Sequence, residues 1–326
     1  MFHCLFRTSL IASVAWIALQ PGLSLAQDAK FPTKSIEVVV PFAPGGITDV
    51  GSRIVSEYYS KELGVPLVIR NQPGGGGLTG SAAYMNATPD GYTILAGIAG
   101  SIVSNVLLSR NPPFDPRRDL RPIGYIGDSP VAFLVHKDSP YKTFEELITY
   151  AKANPGKLRI GVSSLGGETH IMYTSILKDT KADLRMIPYP GTGQSVAALL
   201  GQHIDGLTLS LPASMPYASS GEMRVLLLTR RTPIFPDVPA GADIGLPSVS
   251  INFWLGYLAL PKTPPAALEK LEAALKRAAS DPELSKKLAQ AGFTVDYRDS
   301  AGFAKLIDSN WTILSQVIKE TGMKTD

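Results

Sequence analysis

The feature that most constrains the fold is a unit that occurs four times: a short apolar run, a glycine-containing turn and the start of a helix. The four turns are PFAPGGITD (41–49), NQPGGGGLTG (71–80), SSLGGETH (163–170) and PYPGTGQS (188–195). The run before the first turn, Ile36–Val40, is largely apolar without alternation, which is typical of a parallel strand covered on both faces. Strands that alternate with helices predict an α/β fold whose sheets are mostly parallel and flanked by helices.

The units fall into two groups, which predicts two lobes. A second series of strands begins near Val131, and a proline-rich connection over 232–248 ends it. A strand at 253–260 and three helices from Pro265 to Thr321 follow, and they could rejoin the first lobe or stand alone. We expect a first lobe of 27–130 and 253–326 and a second lobe of 131–252. Two hinge crossovers then join the lobes, and the carboxyl ends of their sheets face a shared cleft.

Residues 1–26 have the features of a secretory signal peptide. Arg7 supplies a positive charge, LIASVAWIAL (10–19) supplies an apolar run, and Ser24 and Ala26 are the small residues before the cleavage point. The apolar run is shorter than the roughly 20 residues that a spanning helix needs, which argues against a retained membrane anchor. Cleavage after Ala26 would give a periplasmic protein and would remove Cys4, the single cysteine.

Composition and motifs argue against several classes of function. The formal net charge of +3 is dispersed, so no basic patch for nucleic acid stands out. The single cysteine excludes a disulfide framework and a cysteine-based zinc site. Neither GxSxG nor HExxH occurs, and His136, His170 and His203 are far apart in the chain. We predict no catalytic residues, no metal and no cofactor, and only a metal site built from distant residues stays open.

The glycine run in the second turn formally matches a dinucleotide fingerprint. Gly75, Gly77 and Gly80 have the GxGxxG spacing and lie between a strand and a helix. The acidic residue that should follow about 20 positions later is missing, because Asp90 lies in a turn. A cytoplasmic dinucleotide enzyme also conflicts with the signal peptide.

The four turns are better suited to binding an anion. Each leads into a helix amino terminus, which has unpaired N–H donors and about half a positive charge. Glycines let those donors approach a ligand closely. Several such termini around one cleft could hold a carboxylate without an arginine, whereas one such turn alone would indicate only a tight connection.

The chain resembles the periplasmic substrate-binding proteins of tripartite tricarboxylate transporters, the Bug family. The resemblance extends from Phe31 to the final helix. The motifs that carry it are Pro-Phe-Ala-Pro-Gly-Gly (41–46), Asn-Gln-Pro-Gly (71–74), Pro-Asp-Gly-Tyr-Thr (89–93), Asn-Pro-Gly-Lys (154–157), the Ser-Ser-x-Gly-Gly turn with His170, and Leu-Gly-Gln-x-x-Asp (200–205). It implies a two-lobed Venus-flytrap receptor, monomeric, that closes on a small mono-, di- or tricarboxylate, aromatic acids included, and presents it to membrane permease subunits.

The resemblance also implies where the ligand binds. The residues carried over by position are Phe42, Gly45, Gly46, Ile47, Thr48, Asp49, Ile98, Ser101, Ser163, Ser164, Gly167, His170, Tyr189, Gly191 and Thr192. Pro190 and Thr174 depart from the family pattern, which commonly has Lys and an acidic residue there. Ile47 is bulkier than the usual residue and suggests a partly apolar or aromatic ligand, unless it packs within its own lobe. Asp49 would disfavour a second carboxylate and could receive an ammonium group, or it could, like Thr48, simply cap the helix that starts near these two residues.

These observations favour a receptor that performs no chemistry. An exported enzyme that acts on a small carboxylate in the same cleft is the alternative, and it would need a nucleophile–base pair or a metal cluster. The sequence shows neither pattern.

Overall fold

The structure is a computed structural model that describes residues 31–322, so the predicted signal peptide lies outside the described residues. The strands are β1 (Ile36–Val40), β2 (Leu67–Asn71), β3 (Thr93–Gly97), β4 (Arg121–Ser129), β5 (Val131–His136), β6 (Arg159–Val162), β7 (Arg185–Pro188), β8 (Gly206–Ser210), β9 (Met223–Leu228), β10 (Phe253–Ala259) and β11 (Thr294–Arg298). The α-helices are α1 (Ile47–Leu63), α2 (Leu78–Tyr84), α3 (Asn105–Leu108), α4 (Pro116–Asp119), α5 (Phe144–Ala153), α6 (Glu168–Thr180), α7 (Thr192–Leu200), α8 (Leu211–Ser219), α9 (Pro265–Ala279), α10 (Pro282–Gln290) and α11 (Ser300–Thr321).

The strands form two sheets. The first has the order β11-β4-β10-β3-β1-β2, and the second has the order β7-β6-β8-β5-β9. We call each sheet with its flanking helices a lobe. The chain passes from the first sheet to the second through Pro130 and returns between β9 and β10. The strand predicted at 253–260 therefore joins the first sheet, and we propose lobe boundaries at Pro130 and near Phe253.

The prediction of a two-lobed α/β fold is confirmed, but both sheets are mixed rather than mostly parallel. In the first sheet β1 is parallel to β2 and β3, whereas β10 is antiparallel to β3 and β4 and β11 is antiparallel to β4. In the second sheet β6 is parallel to β7 and β8, whereas β5 is antiparallel to β8 and β9. The crossovers explain this difference. A strand that arrives from the other lobe enters at the edge facing the cleft, so it runs away from the cleft while β1, β3 and β8 run toward it.

Local signals set most helix boundaries. Thr143 caps α5 in a capping box with Glu146, and Asp281 caps α10 through the N–H groups of the first turn. The predicted cap of α1 by Thr48 and Asp49 is wrong. Helix α1 begins at Ile47, and its N-cap is Gly46, which makes no side-chain hydrogen bond there.

Two strands escaped prediction, and both lie in the first sheet. The segment predicted as three consecutive helices contains β11 between α10 and α11. Strand β4 contains a proline and two glycines, which weaken its pattern. Strand β11 has no fully buried residue and is short of apolar residues. Its position next to β4 comes from pairing across the chain rather than from its own sequence.

The core of the first lobe lies on both faces of its sheet. Val38 and Val40 on β1 pack with the residues of α1 and α9, including Val55 and Leu271. Val39 points to the opposite face and packs with Phe303 of α11. Both faces are covered, as the apolar run predicted. Within residues 31–322, no helix combines the length and the apolar character needed to cross a membrane.

Candidate ligand-binding site

A cavity of about 690 Å³ lies between the two lobes, at the sheet edges that face each other. The first lobe contributes Phe42, Ala43, Pro44, Gly45, Gly46, Ile47, Thr48, Val50, Gly76, Ile98, Gly100, Asn105, Phe253, Ala291 and Phe293. The second lobe contributes Ser163, Ser164, Gly167, Glu168, Gly191, Thr192, Ser210, Pro212 and Ala213. A ligand in this cavity would touch both lobes.

Four helices begin at the cavity wall. Helices α1, α6 and α7 follow three of the predicted turns, and their N-cap glycines, Gly46, Gly167 and Gly191, make no side-chain cap hydrogen bond. Helix α8, whose start was not predicted, adds a fourth amino terminus at Ser210, also without a side-chain cap bond. The amino-terminal residues of all four helices line the cavity. Their N–H donors and positive dipole ends make the cavity wall suited to an anion.

The first turn is held in shape by Asp49, which lies beneath the cavity. Its carboxylate accepts hydrogen bonds from the Gly45 N–H at 2.9 Å, from Arg53 Nε at 3.0 Å and from Asn71 Nδ2 at 2.9 Å. Asn71 also donates to the carbonyl oxygen of Phe42 at 3.0 Å. Burial alone would raise the pKa of Asp49, but the bonds from Arg53, Gly45 and Asn71 outweigh it and hold the pKa below its usual value. Asp49 is thus a charged, fully engaged anchor of the turn rather than a receptor for a ligand ammonium.

The glycine run of the second turn has a packing role. Gly75–Gly77 forms a short 3-10 helix before α2, and the φ of Gly77 is 95°, in the left-handed region. A Cβ there would lie 2.5 Å from Cβ of Ser101 and 2.9 Å from the Phe42 ring, so only glycine fits. The carbonyl oxygen of Gly76 accepts a bond from Asn105 Nδ2 at 2.9 Å. The run therefore brings Gly76 and Asn105 to the cavity. This packing accounts for the glycines without a bound dinucleotide.

The two lobes touch at the floor of the cavity. A π-helical turn at Gly100–Ser104 in the first lobe faces the start of α6 in the second. The Gly100 N–H donates to Glu168 Oε1 at 2.8 Å, and Ser104 Oγ donates to the Gly166 carbonyl oxygen at 2.7 Å. Glu168 is 1% exposed, and burial raises the pKa of its carboxyl to about 7.

Eleven of the fifteen residues predicted for the site line this cavity, and four do not. The four are Asp49, Ser101, His170 and Tyr189. Ser101 is fully buried and its hydroxyl donates to the Ile98 carbonyl oxygen at 3.3 Å. Tyr189 packs on the second lobe, where its ring edge would lie 3.4 Å from a Cβ on Gly161.

His170 stabilises the turn rather than facing the cavity. Its Nδ1 accepts the Gly166 N–H at 3.1 Å, which requires an unprotonated nitrogen at that position. Burial lowers the pKa of His170 to about 4, so the imidazole is neutral at pH 7. The histidine therefore shapes the turn from which the N–H groups of α6 emerge.

Sequence reasoning missed the residue with the most unusual environment, Glu168. An acidic residue in the first turn of a helix ordinarily complements the helix dipole on the surface, and nothing in its sequence neighbourhood separates it from Glu145 of α5. Phe253 and Phe293 were also missed, because they come from segments far along the chain. With Phe42, Ile47 and Ile98 they form an apolar wall.

The described residues that line the cavity include five with hydroxyl groups and one with a carboxyl group, Glu168. Among the described residues that line it, Ser163, Ser164, Ser210, Thr48 and Thr192 carry hydroxyl groups, but no histidine or lysine lines the wall beside them. No group of three or more His, Cys, Asp or Glu residues that could hold a metal ion occurs within 31–322.

A two-lobed α/β fold with a ligand-sized cavity between its lobes is the architecture that this chain shares with a solved periplasmic binding protein, BugD, at 28% identity and a TM-score of 0.79, in a match that covers 91% of this chain and 100% of that chain. The chain belongs to the tripartite tricarboxylate transporter family receptors, whose family model matches residues 52–323. The resemblance predicted from sequence is thereby confirmed. The chain is similar to a UPF0065 protein of Bordetella pertussis, with 32% identity over 319 residues that cover 97% of this chain and 98% of that protein.

Two solved structures from Rhodopseudomonas palustris are similar as well. MatC with bound malate has 28% identity and a TM-score of 0.78, and the match covers 88% of this chain and 100% of that chain. A second protein, solved with adipate, has 27% identity and a TM-score of 0.82, and the match covers 90% of this chain and 99% of that chain.

Proposed function

We propose that this protein is a periplasmic receptor that closes on a small organic acid and delivers it to a tripartite tricarboxylate-type membrane permease. It is exported by the signal peptide at 1–26, with cleavage after Ala26, and it binds its ligand without chemical conversion. The observation that carries the proposal is the convergence of four uncapped helix amino termini, from both lobes, on one cavity.

The helix ends in the wall support an anionic ligand held by backbone groups. Among the described lining residues there is no Lys, Arg or His. Each helix end contributes about half a positive charge, and such an end gives up to roughly 2 kcal/mol in a partly buried setting. Helix α8 offers fewer free N–H donors than the other three, because the Leu211 N–H donates to the Pro130 carbonyl oxygen and Pro212 has no N–H. A carboxylate satisfies these donors, whereas a neutral apolar ligand would leave them without partners. The malate and adipate bound in the two neighbours are acids of this kind.

Binding across two lobes also accounts for a receptor's conformational response. A ligand shifts a hinge equilibrium only if it binds the closed state more tightly. Here α1 lies on the first lobe, and α6, α7 and α8 lie on the second, so a carboxylate between them gains contacts only when the lobes approach. The volume of about 690 Å³ suits a small organic molecule.

The proposal is tested by thermal-shift and calorimetric screening of the mature protein. The panel comprises hexanoate, adipate, benzoate, citrate, glutamate and NAD. A bound ligand at a hundredfold excess over its dissociation constant stabilises the protein by about 2.7 kcal/mol. We expect stabilisation by at least one organic acid. Stabilisation by NAD but by no acid would contradict the receptor function, and uptake of the bound acid by cells with and without this protein tests delivery to a permease.

A substitution at the start of α1 tests the position of the ligand. The φ of Gly46 is −74°, and a Cβ there would meet only the Ala43 carbonyl oxygen at 3.4 Å, so Gly46→Leu should fold normally. Its side chain would fill space at the cavity wall, and we expect at least a tenfold loss of affinity by calorimetry. Ala266→Leu adds similar bulk to the exposed first turn of α9 and should bind as the unmodified protein does. Equal affinities for both variants would show that the ligand does not bind at the start of α1.

A further inference from the structure

We propose that Glu168 makes the cavity selective for monocarboxylates with an apolar body, by excluding acids that carry a second carboxylate. This inference rests on the proposed receptor function and adds the class of ligand to it. It replaces the sequence-based expectation that Asp49 would disfavour a second carboxylate.

The carboxyl of Glu168 is held in one place at the cavity wall. It extends from the first residue of α6, on the second lobe, and accepts the N–H of Gly100 from the first lobe at 2.8 Å. A Cβ on Gly100 would lie 3.0 Å from Oε2, so the glycine gives the carboxyl its room. The side chain is almost fully buried, and the residue borders the cavity.

The four helix ends amount to about two positive charges, and ionised Glu168 offsets one of them, so the wall compensates one ligand carboxylate and not two. Glu168 is the one ionisable residue among the described residues that line the wall. The helix amino termini attract a first carboxylate. A second carboxylate at the Glu168 end would meet no side-chain cation and would face another carboxyl in a setting of low dielectric, where like charges repel strongly.

The rest of the wall suits an apolar ligand body. Phe42, Ile47 and Ile98 line it from the first lobe, and Phe253 and Phe293 complete that side. Burying an apolar body against them gives favourable transfer free energy, which a charged second end would forfeit through its own desolvation.

Among the described residues, no other charged group takes over the role of Glu168. Besides burial, its own N–H and that of Gly100 act on its pKa, and both lower it. The titratable and charged groups on α6 and on the elements packed against it, α11, β5, β6 and β8, pair elsewhere or lie away from the cavity. They are His170, Tyr173, Lys178 and Asp179 on α6, Lys305, Asp308, Lys319 and Glu320 on α11, His136 on β5 and Arg159 on β6. Lys178 pairs with Glu320, and Arg159 pairs with Asp205.

The test compares matched ligands that differ at one end: hexanoate with adipate, and benzoate with 1,4-benzenedicarboxylate. For the unmodified protein at pH 8 we expect the monocarboxylate of at least one pair to bind at least tenfold more tightly by calorimetry. Glu168→Gln keeps an acceptor for the Gly100 N–H and removes the charge, so it should reduce that preference at least tenfold. Glu145→Gln removes the same charge from the exposed first turn of α5 and should leave the preference unchanged.

A second measurement needs no variant. Between pH 6.5 and 8.5 both carboxylates of the dicarboxylic probes stay ionised, whereas Glu168 gains charge. The preference of the unmodified protein for the monocarboxylate should therefore grow across this range.

Several outcomes would overturn the inference. One is that the dicarboxylates bind as tightly as their monocarboxylate partners at pH 8. Another is that Glu168→Gln leaves the preference for the monocarboxylate intact. Tighter binding of 6-aminohexanoate than of hexanoate would show that Glu168 receives an ammonium group instead. Failure of every organic acid in the panel to bind would contradict the receptor function itself, which separates the two failures.

Discussion

A buried carboxyl at a binding site should cost stability in a way that pH reveals. The pKa of Glu168 rises from an ordinary 4.5 to about 7 in the folded protein because burial disfavours the charged form. The folded state therefore binds a proton more tightly than the unfolded state does. Stability from this group is fully present below pH 4.5 and is lost as the pH rises through 7.

The size of this effect follows from linkage. A difference of about 2.5 pKa units corresponds to about 3 kcal/mol at pH values above 7, and about 2 to 3 kcal/mol of it develops between pH 5 and pH 8. Glu168→Gln has no proton to lose, and it keeps an acceptor for the Gly100 N–H. We expect the free energy of unfolding of this variant, relative to the unmodified protein, to increase by about 2 to 3 kcal/mol from pH 5 to pH 8.

Urea unfolding monitored by tryptophan fluorescence at several pH values measures this difference. Comparison of the two proteins at each pH cancels the titration of all other groups. Glu145→Gln, at an exposed position, should differ from the unmodified protein by a nearly constant amount across the same range. A Glu168→Gln difference that does not change with pH would refute the reasoning, because it would mean that the carboxyl titrates normally in the folded state.

Two further predictions concern groups that hold the site in place. Burial lowers the pKa of His170 to about 4, so its stabilising contribution is present above pH 6.5 and is lost as the pH falls toward 4. The variant His170→Asn offers an oxygen to the Gly166 N–H. In the same unfolding assay, it should remove up to about 3 kcal/mol of this acid sensitivity. Asp128 accepts hydrogen bonds from Arg230 and Asn252 at the crossovers between the lobes. Asp128→Ala should lower the free energy of unfolding by about 2 to 3 kcal/mol, because it leaves both side chains without this acceptor. A loss below about 0.5 kcal/mol would mean that these bonds are merely surface contacts.

The proposed role of Glu168 places a stability cost at the point where selectivity is needed. Burial of a carboxyl without a cationic partner is unfavourable, and proteins retain such groups mainly where they serve a function. The unfolding experiment measures the loss of stability caused by the charged Glu168. The paired-ligand experiment measures the preference for monocarboxylates that we attribute to the same charge. Agreement between the two would connect the stability of the fold directly to ligand choice.

The sequence predicted those parts of the structure that depend on near neighbours in the chain. The apolar run of β1, the capping box of Thr143 and the cap at Asp281 each involve residues within a few positions of one another. The glycine turns predicted three of the four helix starts at the cavity, because a turn and the helix that follows it are local features. The family motifs then indicated the class of protein.

The tertiary structure decided what depends on distant partners. The mixed sheets arise from a strand, β10, that returns from the other lobe and pairs with β3 and β4. The Asp49 carboxylate accepts hydrogen bonds from Arg53 and from Asn71, which is 22 residues away, and it does not line the cavity. Glu168 and Glu145 look alike in the sequence, and only contact with Gly100, 68 residues earlier, buries one of them at the cavity. The pKa and the contacts of a charged side chain depend on its burial and its partners. Both are set by the packing of segments that are far apart in the chain.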